Sequence, residues 1–480
     1  MIFDYKEIKK LAKEMGRKID EFLALSSGND PFYSESEGRM KNALWFKEMW
    51  DKFGGPGSHL RRLHYQIVSQ ETPILRPNGE EYLNTQKDWD FLTSSSKAAR
   101  YVGLVDVYQL EDHYSPPPIC FAEMMPSQGP SVSIDRDDSQ YRYAVALPQF
   151  EGLPSWLPDT PWYGVDDYVA QQAVHIELWI EKSTMNDVLV PIAERYKLNL
   201  VTGKGELSIT AAVNALKRML ALKNLSRQTF VILYLSDYDP AGTGMPISVS
   251  RKLEYYQRTD GQLGLLDIRL CPIVLTAPQV KAFNLPRVPV KETDKRKDNW
   301  EILHGEGQVE LDALEALYPG KLAEIVEQEI LKYYDPSLQS RADKIERQLR
   351  ADLEEQRKLF LDDEASRAID DLQDEYKLVK TAYRNLEAEY LFMVSPLERK
   401  VERLNQWMAD LMARTDQAYD ELAERMKRPA LDLDDYALPE AKPIPKTNGY
   451  LYDSRLEYMA QLDVYHAYRK NKNEHEEALT

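Results

Sequence analysis

Asp237 and Asp239, in the run Asp237-Tyr238-Asp239-Pro240-Ala241-Gly242, are the residues whose type and spacing could do chemistry. The preceding Val231-Ile232-Leu233-Tyr234-Leu235 is too apolar to be anything but a buried strand. Alternate residues of an extended chain point the same way, so both carboxylates can converge where that strand leaves its sheet. Carboxylates held that close repel unless a proton or a cation sits between them. The expected occupant is Mg2+, a hard ion that takes oxygen ligands and keeps several waters for phosphates. Glu181-Lys182, at the end of an earlier apolar run, is read together with this pair.

The elements that must position these acids follow from the pattern after Val174. Ile176 to Ile180 reads as a strand, and Thr184 with Asp187 as the capping box of a helix reaching Tyr196, kinked at Pro191. Leu198 to Val201 is the next strand, followed by Gly203-Lys204-Gly205 and a helix from Ser208 to Leu222. The strand ending at Asp237, a helix after Gly244 and a fourth strand from Ile268 to Leu275 complete the set. Strands alternating with helices predict an α/β fold with a parallel sheet, whose functional residues collect at the carboxyl ends of the strands. Glu181, Lys204, Asp237 and Asp239 all fall there.

Upstream, Lys41 to Phe53 reads as a helix stopped by Gly54-Gly55-Pro56-Gly57. Ser58 is expected to cap a second helix, running through Arg61-Arg62-Leu63-His64-Tyr65 to Ser69. A turn at Pro77-Asn78-Gly79 follows, and Thr85 caps a third helix ending near Gly103. Helix, turn, helix and hairpin-like extension in this order suggest a winged-helix DNA-binding unit. At about 100° per residue, Leu60, Leu63 and Ile67 share one face of the second helix. Tyr65 falls on the opposite face, beside Arg61 and Arg62. An exposed tyrosine between arginines can meet a phosphate, and the cations favour its phenolate. An ordinary surface tyrosine fits the same position in a chain with 29 of them. Lys87, Lys97 and Arg100 on the third helix are either DNA-backbone contacts or a solvated face.

Residues 116–172 are rich in proline and aromatics and read as irregular linker. From Gln339 to Arg428 the chain is charged and periodic. Ile369, Leu372, Tyr376, Val379, Tyr383, Leu386, Tyr390, Met393 and Leu397 alternate steps of three and four, a heptad seam. Ser395-Pro396-Leu397-Glu398 has the form of a capping box, so the segment is one kinked helix or two helices in a hairpin. The seam serves oligomerisation or packs within the chain. After Pro429 an acidic, proline-rich linker leads to a short helix near Ser454 to Tyr468.

The 480 residues suffice for two or three domains, and 43% hydrophobic residues exclude a disordered chain. Two cysteines exclude a disulfide scaffold or a cysteine-rich zinc module. Neither a signal peptide nor an 18-residue apolar span is expected, so the reading is a cytoplasmic protein with no membrane partner. The net charge of −18 argues against tight nonspecific DNA binding at high salt, because that affinity rests on Lys and Arg. Basic runs remain at Arg61-Arg62 and from Lys291 to Lys297.

On Glu181-Lys182 and Asp237-Tyr238-Asp239-Pro240-Ala241-Gly242, the middle region resembles the Toprim domain shared by topoisomerases, primases and some nucleases. Thr202-Gly203-Lys204-Gly205-Glu206 is similar to a strand-end loop of the topoisomerase VI A subunit and its meiotic double-strand-break relatives. Val309-Glu310-Leu311-Asp312-Ala313-Leu314 is similar to an acidic helix start that follows Toprim in that family, with a plain helix cap as the other reading. Arg61-Arg62-Leu63-His64-Tyr65 stands where the family carries its nucleophile. It departs from the usual pattern at Arg62, where an acid is usual, and at His64, where an aromatic ring is usual.

The resemblance covers residues 58–335 and implies a winged-helix domain (1–115), the linker region (116–172) and a Toprim domain (173–338). A coiled coil or helical hairpin (339–428) and a tail with a short helix (429–480) complete the expected organisation. It further implies Mg2+-dependent cleavage of double-stranded DNA by a homodimer, with Tyr65 and Arg61 catalytic and the tyrosine joined to the 5′ end. Glu181, Asp237 and Asp239 would bind the metal; Arg62, Lys204 and Arg100 would contact DNA. The chain carries no ATPase motif, so strand passage implies a separate ATPase subunit or proceeds without ATP. The expected location is the cytoplasm, associated with the nucleoid. Two other readings stand beside this one: a Toprim endonuclease that uses water instead of the tyrosine, and a non-enzymatic DNA-bound scaffold built on the coiled coil.

Overall fold

Seven consecutive buried positions, Val174–Ile180, make a strand that must be covered on both faces. The computed structural model describes residues 4–55, 57–110, 116–122, 129–135, 160–166, 168–203, 205–226, 229–361, 364–390, 397–426, 431–446 and 449–470. Lys204, Met393, Ser395 and Pro396 lie outside the described residues. The chain divides into two units, Met1–Met125 with Gln172–Asp335 and Lys442–Thr480, and Pro126–Gln171 with Pro336–Ala441.

The strands, in chain order, are β1 (Ile119–Cys120), β2 (Ser131–Asp135), β3 (Trp162–Asp166), β4 (Val174–Ile180), β5 (Asn199–Thr202), β6 (Thr229–Leu235), β7 (Ile268–Val274) and β8 (Tyr452–Asp453). Six of them build the sheet of the first unit, in the order β1-β5-β4-β6-β7-β8. The four inner strands are parallel, and β1 and β8 are antiparallel edges. Successive side chains of β6 go to opposite faces. Phe230, Ile232 and Tyr234 join a core with the helices Ile209–Ser226 and Met245–Thr259. Val231, Leu233 and Leu235 join another with the helices Asn186–Arg195, Leu311–Leu317 and Lys321–Ile330. This is a mixed α/β fold with a mostly parallel sheet flanked by helices.

The N-terminal helices Glu37–Phe53, Leu60–Val68 and Gln86–Tyr101 share a separate apolar core within that unit. A small hairpin stands between the second and third, with Arg76 N donating to Glu80 O at 2.7 Å and Tyr82 N to Ile74 O at 2.8 Å. The helix at Leu60 starts one residue later than expected. His59 caps it through Nδ1, while Ser58 pairs with Leu110. Thr184 does not cap its helix either, because a tight turn at Ser183–Met185 feeds directly into Asn186–Arg195.

Two stretches expected as linkers contribute sheet. Residues 116–172 supply β1 and the antiparallel pair β2 and β3, and the tail supplies β8. Two-residue strands carry no readable periodicity; they take their hydrogen bonds from a sheet edge already built. The tail helix Tyr458–Lys470 packs in the first unit's core beside the N-terminal segment, where Tyr458 donates to Phe22 O at 2.6 Å. Arg251 is the pin of this arrangement. It has no exposed surface, binds Asp30 at 3.1 Å and Glu254 at 2.8 Å, donates to Tyr458 at 2.8 Å, and lies 4.2 Å from the Phe32 ring centre.

In the second unit the heptad segment forms three helices, Leu338–Leu361, Glu364–Tyr390 and Glu398–Met426. The last two pair, with Leu372, Tyr376, Val379, Tyr383 and Leu386 packed with Leu397, Val401, Leu404, Met408 and Leu411. Among the described residues, these seam positions are therefore packed within the chain. Among the described residues, no helix is long and apolar enough to cross a membrane.

Candidate metal centre

β4 and β6 are neighbours, with Ile180 opposite Leu235, so the residues that follow them leave the sheet side by side. Glu181 comes off β4; Asp237 and Asp239 come off β6. Each aspartate is oriented by one backbone amide. Leu311 N donates to Asp237 Oδ1 at 2.7 Å, and Gly242 N donates to Asp239 Oδ1 at 2.5 Å. Tyr238, between them, is buried and exchanges both backbone hydrogen bonds with Val309 at 2.9 Å. The Asp-Pro-Ala-Gly turn folds back onto the backbone of Asp237, since a Cβ at Gly242 would lie 2.3 Å from the Asp237 carbonyl oxygen. The loop after β5 closes over β4 in the same way. Gly203 N donates to Ile180 O at 2.7 Å and Gly205 N to Glu181 O at 3.2 Å.

Lys182 sits among the acids. Its Nζ is 2.8 Å from Asp237 Oδ2, 3.2 Å from Asp312 and 3.6 Å from Glu310. Burial pulls the ammonium's pKa down, but the hydrogen bonds and charges of Asp237 and Asp312 outweigh it and hold the pKa above the ordinary lysine value. Burial, then the charges of Asp237 and Asp239, push the Glu181 carboxyl up to about 7, against the opposing pull of Lys182. Asp237 is also raised, chiefly by burial. Glu181 Oε2 is buried and has no hydrogen-bond partner.

No family model matches this sequence, and no curated protein matches it. The chemistry of the site must therefore be read from the site itself. Among the described residues, no three His, Cys, Asp or Glu side chains are drawn together as a ready metal cage. The donor set nonetheless suits a hard cation. It offers carboxylate oxygens held by backbone amides, and one buried carboxylate oxygen without a partner.

Tyr65 is 54% exposed, on the same helix as exposed Arg61 and Arg62, while Leu63, His64 and Ile67 are buried. His64, where the resemblance would place an aromatic ring, hydrogen-bonds Tyr82 at 2.7 Å and Asn84 at 3.0 Å, and its ring meets that of Trp89 edge-on. Among the described residues, no hydrogen bond, ion pair or ring contact joins Tyr65 to Glu181, Asp237 or Asp239. Arg100 is half-buried and turned to Thr210 at 3.4 Å, on the helix after β5. Lys87 pairs with Glu80 at 3.1 Å.

Lys182 and the Glu206–Lys252 pair are functional neighbours that the sequence pattern does not single out. Glu206 accepts from Lys252 and Ser248 at 2.6 Å each, and these contacts, the charge of Lys252 foremost, overcome burial and hold its carboxyl down at about 2. The signal for Lys182 was its place directly after an acid at a strand end; Lys252 gave none.

Proposed function

We propose that this chain is a Mg2+-dependent enzyme that cleaves double-stranded DNA in the manner of topoisomerase VI A-like proteins. In this reading the parallel sheet is a Toprim domain, residues 1–115 are a winged-helix domain, and the protein works as a homodimer in the cytoplasm on nucleoid DNA. The observation that carries it is the placement of Glu181, Asp237 and Asp239 just after the adjacent parallel strands β4 and β6, with a buried oxygen of Glu181 lacking a partner. These three residues would hold the ion, which would neutralise the scissile phosphate and the developing oxyanion. Leu311 and Gly242 aim the aspartates through their amides, and Lys182 balances the acid charge. The Tyr65 hydroxyl attacks phosphorus and passes its proton to water, the bond to the 3′ oxygen breaks, and that oxygen leaves as a hydroxyl after taking a proton from water. Arg61 and Arg62 steady the phosphate, and a separate ATPase subunit would drive any strand passage.

A second reading is a Toprim endonuclease that uses water, with Tyr65 incidental. Incubation with plasmid and Mg2+, followed by denaturation, separates the two. DNA covalently bound to protein, lost in Tyr65→Phe, supports the first; full cutting by Tyr65→Phe excludes it. If the Asp237→Ala, Asp239→Ala double variant retains the cellular activity, both give way to the scaffold reading.

A further inference from the structure

The cation run after β7 is joined to the acid turn by a continuous set of contacts. Val288 and Gln308 exchange backbone hydrogen bonds at 2.9 and 2.7 Å, and the next residue, Val309, exchanges its own with Tyr238. The segment from Pro289 to Gly307, which includes the helix Lys297–His304, is thus an excursion closed at its base against the residue between the two aspartates. Side chains reinforce the base. Tyr238 hydrogen-bonds His304 Nδ1 at 3.1 Å, and Trp300 donates to Thr243 at 3.1 Å. Arg287 donates from one nitrogen to the carbonyls of His304, Gly305, Glu306 and Gly307 at 3.0–3.3 Å.

The basic charge of this frame lies in its first half, and three acids, Asp298, Glu301 and Glu306, stand in its second. Residues 285–297 hold five Lys or Arg against two acids, in a chain whose net charge is −18. Lys291, Lys295 and Arg296 are exposed. Arg296 is held by two bonds to Asp294, at 2.9 and 2.8 Å, and Lys297 pairs with Glu292. The hydrogen bond to Asp294 is the main reason the guanidinium's pKa is raised, and the charges of Asp239 and Glu206 add to it, so Arg296 lies within the electrostatic reach of the acid turn.

We propose that the loop of residues 289–297, through Lys291, Lys295 and Arg296, is a clamp for the phosphate backbone of a nucleic acid next to the acid centre. The proposal rests on the phosphoryl-transfer reading of that centre. A negative substrate approaching five acids needs cations fixed nearby, and this loop supplies them on a frame tied to Tyr238. Asp294 holds Arg296 until a phosphate replaces it, which is the exchange expected of a point-charge contact.

The test is binding of the full chain to a fluorescent 30-base-pair duplex in EDTA, followed by anisotropy between 50 and 200 mM salt. Each lost phosphate contact lowers the slope of log affinity against log salt by about 0.9. The triple variant Lys291→Gln, Lys295→Gln, Arg296→Gln is expected to lose about 2 to 3 from the slope and to bind at least tenfold more weakly at 50 mM. Glu292→Gln with Asp294→Asn is expected to tighten binding, which a misfolded loop would not do. An unchanged slope in the triple variant overturns the proposal. Equal, loop-dependent binding of polyglutamate also overturns it, because the site would then be a general polyanion surface. Failure of the catalytic reading appears elsewhere, as Mg2+-dependent cutting that survives Asp237→Ala.

Discussion

The ammonium of Lys182 lies 2.8 Å from the Asp237 carboxylate, so the acids of this site already contain a positive charge of the chain's own. Removing it leaves Glu181, Asp237, Asp239, Glu310 and Asp312 to repel one another. Lys182→Met is expected to lower stability in EDTA by roughly 1–3 kcal/mol, less than the loss at a fully buried pair because the side chain is about a quarter exposed. Mg2+ should restore more of the melting temperature in the variant than it adds to wild type. Thermal melts with and without Mg2+ check this, and equal responses would refute it.

The raised carboxyl of Glu181 gives a pH dependence with a definite sign. An acid whose folded pKa exceeds its unfolded value costs nothing below the unfolded pKa, near 4.3. Stability is then lost as pH rises from there to about 7, and the loss is constant above. Glu181→Gln cannot ionise and escapes this loss. In EDTA, the variant should gain on wild type by about 1–3 kcal/mol between pH 4.5 and 8, read from urea melts. A gap that stays flat across this range would count against the assignment.

Gly242 has no room for a side chain. Its Cβ would lie 2.3 Å from the Asp237 carbonyl oxygen and 3.1 Å from the Asp237 amide nitrogen, both backbone atoms that cannot swing aside. Gly242→Ala is expected to cost about 1–3 kcal/mol and to weaken Mg2+ binding, because the turn must open. Gly261→Ala, where nothing lies within 4 Å, should change stability by about 0.5 kcal/mol or less. Calorimetric titration of both variants with Mg2+ makes the comparison.

Arg251 is fully buried between Asp30, Glu254 and Tyr458. Arg251→Met strands two carboxylates in the core and should cost about 3–5 kcal/mol. Adding Asp30→Asn should then cost less than it does alone, since its partner is already gone. Denaturant melts of the two single variants and the double variant measure this coupling, and strict additivity would show that the pair is not an energetic unit.

Much of the first unit was legible because its strands are long apolar runs. Val231 to Leu235 could be read as strand from composition, and the acids that follow fall at its end by simple counting. Thr85 was legible as a cap because a hydroxyl three residues before Asp88 has one useful partner, the Asp88 amide. Ser58 loses the cap to His59, which accepts through its ring nitrogen, and nothing local says which of two adjacent acceptors the helix will use. β8 and the clasp at Arg251 were illegible for a different reason. Asp30, Arg251 and Tyr458 are separated by some two hundred residues at each step, and only the closed core brings them together. The roles of Lys182 and Lys252 depend on tertiary neighbours in the same way.

The Arg251 clasp also sets an order of events during synthesis. Tyr458 and β8 follow residues 336–441, so a ribosome must build most of the second unit before the partner that completes the first one exists. At about 5–20 residues per second, that interval is roughly 5–20 s. Throughout it, β7 has a bare edge, and a buried-to-be guanidinium waits in water. A message broken within that stretch would yield the acids and the basic loop without the strand and helix that back them.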